Sequence, residues 1–191
     1  MARGSTSRQG RLARSEQSGR FYPFALEQEA SRTKGREPAE ILKSAEGIAE
    51  FIHATQKRRD GQPYMTHIRE VVDGVKGVEA KMVAYLHDTM EDGGLTVRDM
   101  QAEGIPQNVI DAVKALTRPP PEERQMTYQE YIEQIVKPNE LARQVKIADL
   151  RSNLKDNDNP GQVKRYRKAL ATLTGEEPDM SNAEMMRLYG G

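Results

Sequence analysis

The chain has 191 residues, with 29 basic and 29 acidic side chains and a formal net charge of zero. This balance argues against a protein that coats nucleic acid through a general basic surface. The absence of cysteine excludes disulfide scaffolds, zinc fingers, iron–sulfur clusters and thiol catalysis. No apolar run approaches the roughly 20 residues of a membrane span, and the only histidines are His53, His67 and His87.

Both ends of the chain differ from its middle. The first twenty residues carry five arginines and one acid, without any apolar period, so we predict a disordered basic tail over residues 1–37. Alternatives are an organelle-targeting peptide and a weak contact with RNA or an acidic partner. Residues 176–191 are predicted to form a C-terminal tail, in which a capping box from Ser181 to Glu184 opens a short helix.

Between the tails, apolar side chains recur every three or four residues and are bounded by helix caps and turn residues. No segment shows sustained alternation with β-branched residues, so we predict a single all-α domain over residues 38–175. Helices are expected over residues 38 to about 59, 66–72, 78–92, 106–116, 127–136, 139–154 and 162–173. A further helix is expected to begin at a cap at residue 96.

The densest polar cluster ends the predicted helix 78–92. His87 and Glu91 are four residues apart, as are Asp88 and Asp92, so these groups share a helix face. Packed acids at the negative end of a helix dipole need water or a cation. The pattern is compatible with a divalent cation site and equally with a solvated acidic helix end.

A second candidate is Asp149, which stands on the apolar stripe of the predicted helix 139–154, with Asn153 one turn further on the same face. A buried carboxylate needs a partner or a metal. The local sequence leaves open a metal ligand, a helix cap, or a salt bridge to an arginine such as Arg143 or Arg165.

A third group surrounds a turn near residue 61. The adjacent cations Lys57, Arg58 and Arg59 precede the turn, and His67 lies at the start of the helix that follows. Such cations suit a phosphate or a stacked base. The alternative is a solvated basic helix end followed by a surface histidine.

In their order along the chain, these motifs resemble one family. The series is His53-x-x-Gln56-x-Arg58, Gly61-x-Pro63-Tyr64-x-x-His67, Leu86-His87-Asp88-x-x-Glu91-Asp92, Leu116-Thr117-Arg118 and Val145-Lys146-Ile147-Ala148-Asp149-x-x-x-Asn153. It resembles the HD-domain hydrolases of the RelA/SpoT family, and more closely the stand-alone small alarmone hydrolases, over residues 40–173. The chain departs from the usual pattern at Ile68, commonly a proline, and at Gly93, commonly a threonine.

The resemblance implies an all-α HD-domain bundle around one divalent metal ion, usually manganese. It assigns the four metal ligands to His67, His87, Asp88 and Asp149. Two imidazoles and two carboxylates suit manganese or a similar borderline-hard ion. The family's leading histidine, here His53, is not a ligand, and we expect it to pack or form hydrogen bonds.

The resemblance also implies a reaction, the removal of the 3′-pyrophosphate from ppGpp or pppGpp to give GDP or GTP and pyrophosphate. Glu91 and Asp92 match the pair that orients and deprotonates the attacking water, which is a task for carboxylates beside a metal. The resemblance further implies a group of residues that contact the nucleotide. Within this group, Arg58 would stack on the base and Arg59 would lie near the phosphates. The group is Arg58, Arg59, Asn153, Lys146 and Tyr166.

Three alternatives to this activity stay open. The same chemistry could act on ppApp or on a pyrophosphorylated RNA 3′ end, as an antitoxin to a toxic alarmone synthetase, with the Arg-rich tail contacting RNA. The domain could instead bind an alarmone or a partner without turnover, although Glu91 and Asp92 favour an enzyme. We expect a cytoplasmic protein without a membrane segment.

Overall fold

The computed structural model describes residues 35–176, which form a helical domain. Within this range there is no β-strand, only an isolated antiparallel bridge between Lys57 and Pro63. The predicted all-α class is therefore confirmed. The α-helices are α1 (Pro38–Ile52), α2 (Met65–Asp73), α3 (Val78–Leu86), α4 (Thr89–Gly93), α5 (Val97–Ala102), α6 (Gln107–Leu116), α7 (Tyr128–Tyr131), α8 (Glu140–Lys155) and α9 (Pro160–Thr174).

Helix α3 lies at the centre of the domain and packs against α1, α2, α6 and α8. Its sequence explains this position, because from Ala80 to Leu86 only Lys81 is not buried. A helix that is apolar on all sides must be surrounded by other elements. As a result, the residues that follow α3 emerge in the interior of the domain and not at its surface.

The continuous helix predicted over 78–92 is wrong, because the structure divides it into α3 and α4 with His87 and Asp88 between them. The Thr89 hydroxyl donates to the Leu86 carbonyl at 2.6 Å, and His87 Nδ1 lies 2.7 Å from the Ala84 carbonyl. Side chains thus satisfy the last carbonyls of α3 in place of backbone N–H groups. The break turns His87 and Asp88 toward α2 and α8.

Helix α1 is also shorter than predicted and ends at Ile52. The His53 side chain is buried just beyond this end. The following loop is tied by backbone bonds from Tyr64 to Gln56 (2.9 Å) and from Arg58 to Gln62 (2.8 Å). It folds back on itself as a short hairpin-like turn, and this holds the basic run against the start of α2.

Helix α7 continues as a π-helical turn, Ile132–Val136, and a short 3₁₀ turn, Pro121–Glu123, lies in the preceding loop. The predicted C-terminal capping box and nearly all of the predicted tails lie outside the described residues. No helix in the described range is long and apolar enough to span a lipid bilayer.

Candidate metal centre and adjoining pocket

Four side chains from three parts of the fold meet in the interior of the domain. They are His67 on α2, His87 and Asp88 between α3 and α4, and Asp149 on α8. His67 Nε2 lies 3.3 Å from Asp149 Oδ1 and 3.9 Å from Asp88 Oδ2. His87 Nε2 lies 3.0 Å from Asp88 Oδ2 and 3.9 Å from Asp149 Oδ1. We refer to these four residues as the His–Asp cluster.

The distances suit a metal ion. Two atoms that each lie about 2 Å from one ion can be at most about 4 Å apart, and all four histidine–aspartate distances meet this condition. The ligand atoms of His67, His87 and Asp149 all lie within 4.8 Å of one another, so small side-chain movements would bring every pair into this range. A single divalent ion therefore fits between these side chains.

The state of His87 supports the same reading. Its Nδ1 faces the Ala84 carbonyl, which can only accept a hydrogen bond, so Nδ1 carries the proton of the neutral ring. The buried Nε2 forms no hydrogen bond within the described part of the chain, although Asp88 Oδ2 lies nearby. In the neutral ring the lone pair of Nε2 faces the two carboxylates, where a cation or a proton can take it up.

Negative charge dominates the cluster. Burial alone lowers the pKa of His87, but the charges of Asp88 and Asp149 outweigh burial and raise this pKa to about 9. Burial raises the pKa of Asp88, yet the charge of His87 holds this pKa well below its usual value. The two carboxylates thus remain ionised and attract positive charge, which a cation or a proton on His87 can supply.

Each carboxylate oxygen of Asp149 accepts a hydrogen bond from a neighbouring side chain. Lys146 Nζ donates to Oδ2 at 2.7 Å, and Asn153 Nδ2 donates to Oδ1 at 2.5 Å. Although burial raises the pKa of Asp149, Lys146 and the nearby histidines lower it far below its usual value. The alternative of an arginine partner for this carboxylate is wrong: Arg143 pairs with Glu140, and Arg165 lies over the rings of Tyr128 and Tyr166.

Tyr64 holds the other carboxylate of the cluster. Its hydroxyl donates to Asp88 Oδ2 at 2.5 Å, and burial together with the Asp88 charge raises the pKa of the phenol far above its usual value. Its ring lies between those of His53 and His67, with centroids 5.0 and 5.3 Å away. The expected packing and hydrogen-bonding role of His53 agrees with this contact and with its 2.7 Å bond to Gln56.

Glu91 and Asp92 lie on α4, directly after the cluster, with solvent on one side. Partial burial, followed by the charge of Asp88, raises the pKa of Asp92. Burial also raises the pKa of Glu91, while the backbone N–H of Arg118, which donates to Glu91 Oε1 at 2.5 Å, opposes this shift. Both carboxylates are thus better proton acceptors than free acids.

A cavity of about 290 Å³ opens beside the cluster, close to the lower end of the range for small-molecule sites. The predicted nucleotide contacts Arg58, Arg59, Asn153 and Tyr166 all line it, whereas Lys146 is not among its lining residues. The remaining wall comes from Tyr64, His67, Asp156, Asn157 and Gln162. The pocket therefore combines cations, an aromatic ring and amides next to the candidate metal centre.

The two arginines of the pocket are held differently. Arg58 is only 10% exposed, forms an ion pair with Asp156 and lies 3.6 Å from Glu70. Arg59 pairs with Asp158 at 2.8 Å on the exposed rim. The Arg58 guanidinium is therefore fixed in the pocket wall, while Arg59 can follow a ligand.

Three polar residues near the cluster are not among the predicted site residues. Tyr64 contacts Asp88, Ser152 contacts Nδ1 of His67, and Glu70 contacts Ser152. Tyr64 was visible as part of the motif before His67. Ser152 and Glu70 are 82 residues apart in sequence, and no local pattern joins them.

Two known proteins are similar to parts of this sequence. Over 84 residues, 41% of this chain, it is 33% identical to a probable GTP pyrophosphokinase of Mycobacterium leprae (strain TN). Over 117 residues, 56% of this chain, it is 32% identical to a guanosine-3′,5′-bis(diphosphate) 3′-pyrophosphohydrolase of Drosophila melanogaster. The matches span 11% of the first protein and 64% of the second. No family model matches the chain.

The fold is similar to a solved structure of a metazoan orthologue of SpoT that hydrolyses ppGpp. The TM-score is 0.59 at 22% sequence identity, and the match covers 82% of this chain and 99% of the solved one. This likeness shows a shared fold over most of the described domain. The sequence matches confirm the resemblance expected from the motifs, and the structural match confirms the expected fold.

Proposed function

We propose that this chain, a relative of the HD-domain (p)ppGpp hydrolases in sequence and fold, is a metal-dependent 3′-pyrophosphohydrolase that converts (p)ppGpp to GDP or GTP and pyrophosphate. The observation that carries the proposal is the position of the His–Asp cluster, directly beside a cavity lined by Arg58 and Arg59. A cation centre next to an anion-binding pocket suits a pyrophosphorylated nucleotide. The Drosophila relative carries the name of this activity.

His67, His87, Asp88 and Asp149 would hold the ion. Their two imidazole nitrogens and two carboxylate oxygens suit manganese, which is the metal we propose. When bound, the ion supplies Lewis-acid activation of the phosphate and of water. Lys146 and Asn153 donate to the carboxylate of Asp149 and hold it in place, and Tyr64 does the same for Asp88.

In the proposed reaction, a water oxygen bonds to the phosphorus next to the ribose, the bond from this phosphorus to O3′ breaks, and O3′ takes up a proton. Glu91 and Asp92 orient the water and accept its proton, a role that their raised pKa values favour. Arg58 would stack on the base, and Arg59, on the rim, would contact phosphates. Asn153 and Tyr166 complete the pocket.

The test is a manganese-supplemented turnover assay of the purified chain with ppGpp and ppApp in parallel, with the products separated by chromatography. We expect a guanosine nucleotide and pyrophosphate from ppGpp, and no turnover after removal of the metal with a chelator. A stacking arginine accepts either purine, so the ratio of the two rates identifies the base. Bound metal without turnover of either nucleotide would contradict the proposed activity and favour a binding module.

Three further expectations stay predictions: a cytoplasmic location, an antitoxin role opposite a toxic alarmone synthetase, and contact of the Arg-rich tail with RNA or action on an RNA 3′ end. The tail lies outside the described residues. An RNA bearing a 3′-pyrophosphate, added to the same turnover assay, tests the RNA-end alternative directly.

A further inference from the structure

Behind the His–Asp cluster, Glu70, Ser152 and His67 form a chain of hydrogen bonds. The Ser152 hydroxyl donates to Glu70 Oε2 at 2.6 Å, and His67 Nδ1 lies 2.9 Å from Ser152 Oγ. The carboxylate can only accept, so the single hydroxyl proton of Ser152 points to Glu70. Ser152 Oγ must then accept from His67, which requires a proton on Nδ1. We refer to the three residues as the relay.

The relay determines what His67 presents to the cluster. With the proton on Nδ1, the lone pair of the neutral ring is on Nε2, the atom 3.3 Å from Asp149 Oδ1. Histidine and serine are each only 2% exposed, so water cannot easily replace this bond. A metal ligand whose other ring nitrogen donates toward a carboxylate is more basic and fixed in orientation.

The outer end of the relay is at the surface, where cations hold the carboxylate. Lys155 Nζ lies 3.2 Å from Glu70 Oε2, and Arg58 Nη1 lies 3.6 Å from Oε1. These two cations restrict the position of the Glu70 carboxylate. They also favour its ionised form, which accepts the hydrogen bond from Ser152. Arg58 lines the pocket, and Ser152 contacts the candidate ligand His67. The carboxylate of Glu70 therefore contacts both the pocket wall and the residue that supports this ligand.

We propose that Glu70 and Ser152 are positioning residues: Glu70 acts through the Ser152 hydroxyl to hold His67 in the tautomer that offers Nε2 to a divalent cation, and so increases the affinity of the cluster for that cation. The inference rests on the metal centre of the proposed function. It does not depend on which nucleotide is the substrate.

The first experiment is a calorimetric titration of the metal-free full chain with Mn²⁺. We expect Ser152→Ala and Glu70→Gln each to raise the Kd about 10-fold, as is usual when the support of a metal ligand is removed. Glu50→Gln is the matched control. It removes the same charge from an exposed carboxylate paired with Arg69, 2.9 Å away, and should leave the Kd unchanged.

The double variant separates the relay from a general effect of charge. If Glu70 acts only through Ser152, adding Glu70→Gln to Ser152→Ala changes the Kd little further. Effects that multiply would contradict this mechanism and indicate that Glu70 attracts the ion through space.

The second measurement is the ¹⁵N NMR signature of His67 in the metal-free protein, at a pH where the ring is neutral. The wild type should show the proton on Nδ1, and Ser152→Ala should shift the population toward a proton on Nε2. A loss of packing alone would not exchange the two nitrogens. An unchanged tautomer in Ser152→Ala would overturn the proposal.

The outcomes distinguish this proposal from the one on which it rests. If the wild type binds Mn²⁺ and both single variants bind it equally well, the relay is wrong and the metal centre stands. If the wild type itself binds no divalent ion, the metal centre is wrong, and the relay is overturned with it.

Discussion

At the scale of single residues, the charge on His87 controls how a cation enters the cluster. The ring faces two carboxylates that stay ionised, and in the absence of a metal its pKa is about 9. A proton on Nε2 occupies the lone pair that a metal would need. Metal binding and protonation of this nitrogen therefore exclude each other.

From this competition we predict that Mn²⁺ binding at pH 7 releases about one proton. Because the pKa lies near 9, the apparent affinity should rise about tenfold per pH unit from pH 7 toward that value and then level off. Calorimetry in buffers of different ionisation enthalpy measures the proton count. A count of zero at pH 7 would show that His87 is already neutral in the metal-free protein.

The proposed water-activating residue is tested by Glu91→Gln. The side chain keeps its size, but the amide cannot accept a proton, so we expect kcat to fall between about 10²- and 10⁴-fold. The Mn²⁺ affinity should stay close to that of the wild type, since Glu91 lies outside the His–Asp cluster. Glu122→Gln, an exposed site in the loop after Arg118, is the control. A rate in Glu91→Gln equal to the wild type would remove Glu91 from this role.

At the scale of elements, the close contact of α4 with the end of α1 positions the catalytic candidates. A Cβ atom on Gly93 would lie 2.4 Å from Ile52 Cγ2, which is closer than atoms can approach. The usual threonine of the resembled family therefore does not fit here. Glycine allows α4 to pack directly on Ile52, and Glu91 and Asp92 lie on the same short helix.

We predict that Gly93→Ala lowers the free energy of unfolding by about 1–3 kcal/mol, as is typical of overpacking, and also reduces kcat. Gly47→Ala is the matched control, because apart from its chain neighbours and the backbone of α1 no heavy atom lies within 4 Å of its Cβ position. This change should stabilise the helix by about 0.5–1 kcal/mol. Urea unfolding measures both.

The contact itself is tested by combining Gly93→Ala with Ile52→Ala. The second change removes the atoms that the new methyl group meets, so the double variant should be less destabilised than the sum of the single variants. Strict additivity would show that the contact with Ile52 is not the cause.

At the scale of the whole molecule, the His–Asp cluster joins parts of the chain that are distant in sequence. His67 comes from α2, His87 and Asp88 from the break after α3, and Asp149 from α8. Without a cation, buried carboxylates and histidines must balance one another. A bound ion would therefore stabilise the folded domain as a whole, because the unfolded chain has no such arrangement.

Saturation with Mn²⁺ at about 100 times the Kd should stabilise the fold by about 2.7 kcal/mol, which corresponds to a rise in Tm of about 5–10 °C. A thermal unfolding scan with and without a chelator measures this shift. Asp88→Asn should remove most of it, since this carboxylate faces both histidines. Equal shifts in the wild type and this variant would place the ion elsewhere.

Local sequence patterns were enough to predict the helical class and the candidate site residues. Apolar spacing depends only on the period of the helix, and capping boxes such as Thr96 with Asp99 and Thr127 with Glu130 were readable locally and are present in the structure. The ordered motifs also pointed to the family resemblance. The helix period and the capping boxes depend on residues only three or four positions apart, so they can be recognised in the sequence.

How these candidate residues come together depends on the packing of the helices. The break between α3 and α4 arises because α3 is buried on all sides and side chains replace backbone donors at its end. The support of His67 by Ser152 and Glu70 depends on how α2 and α8 pack. Such contacts join residues that are distant in sequence. Which polar groups pair depends on the free energy of burying their charges, and no local sequence pattern shows this.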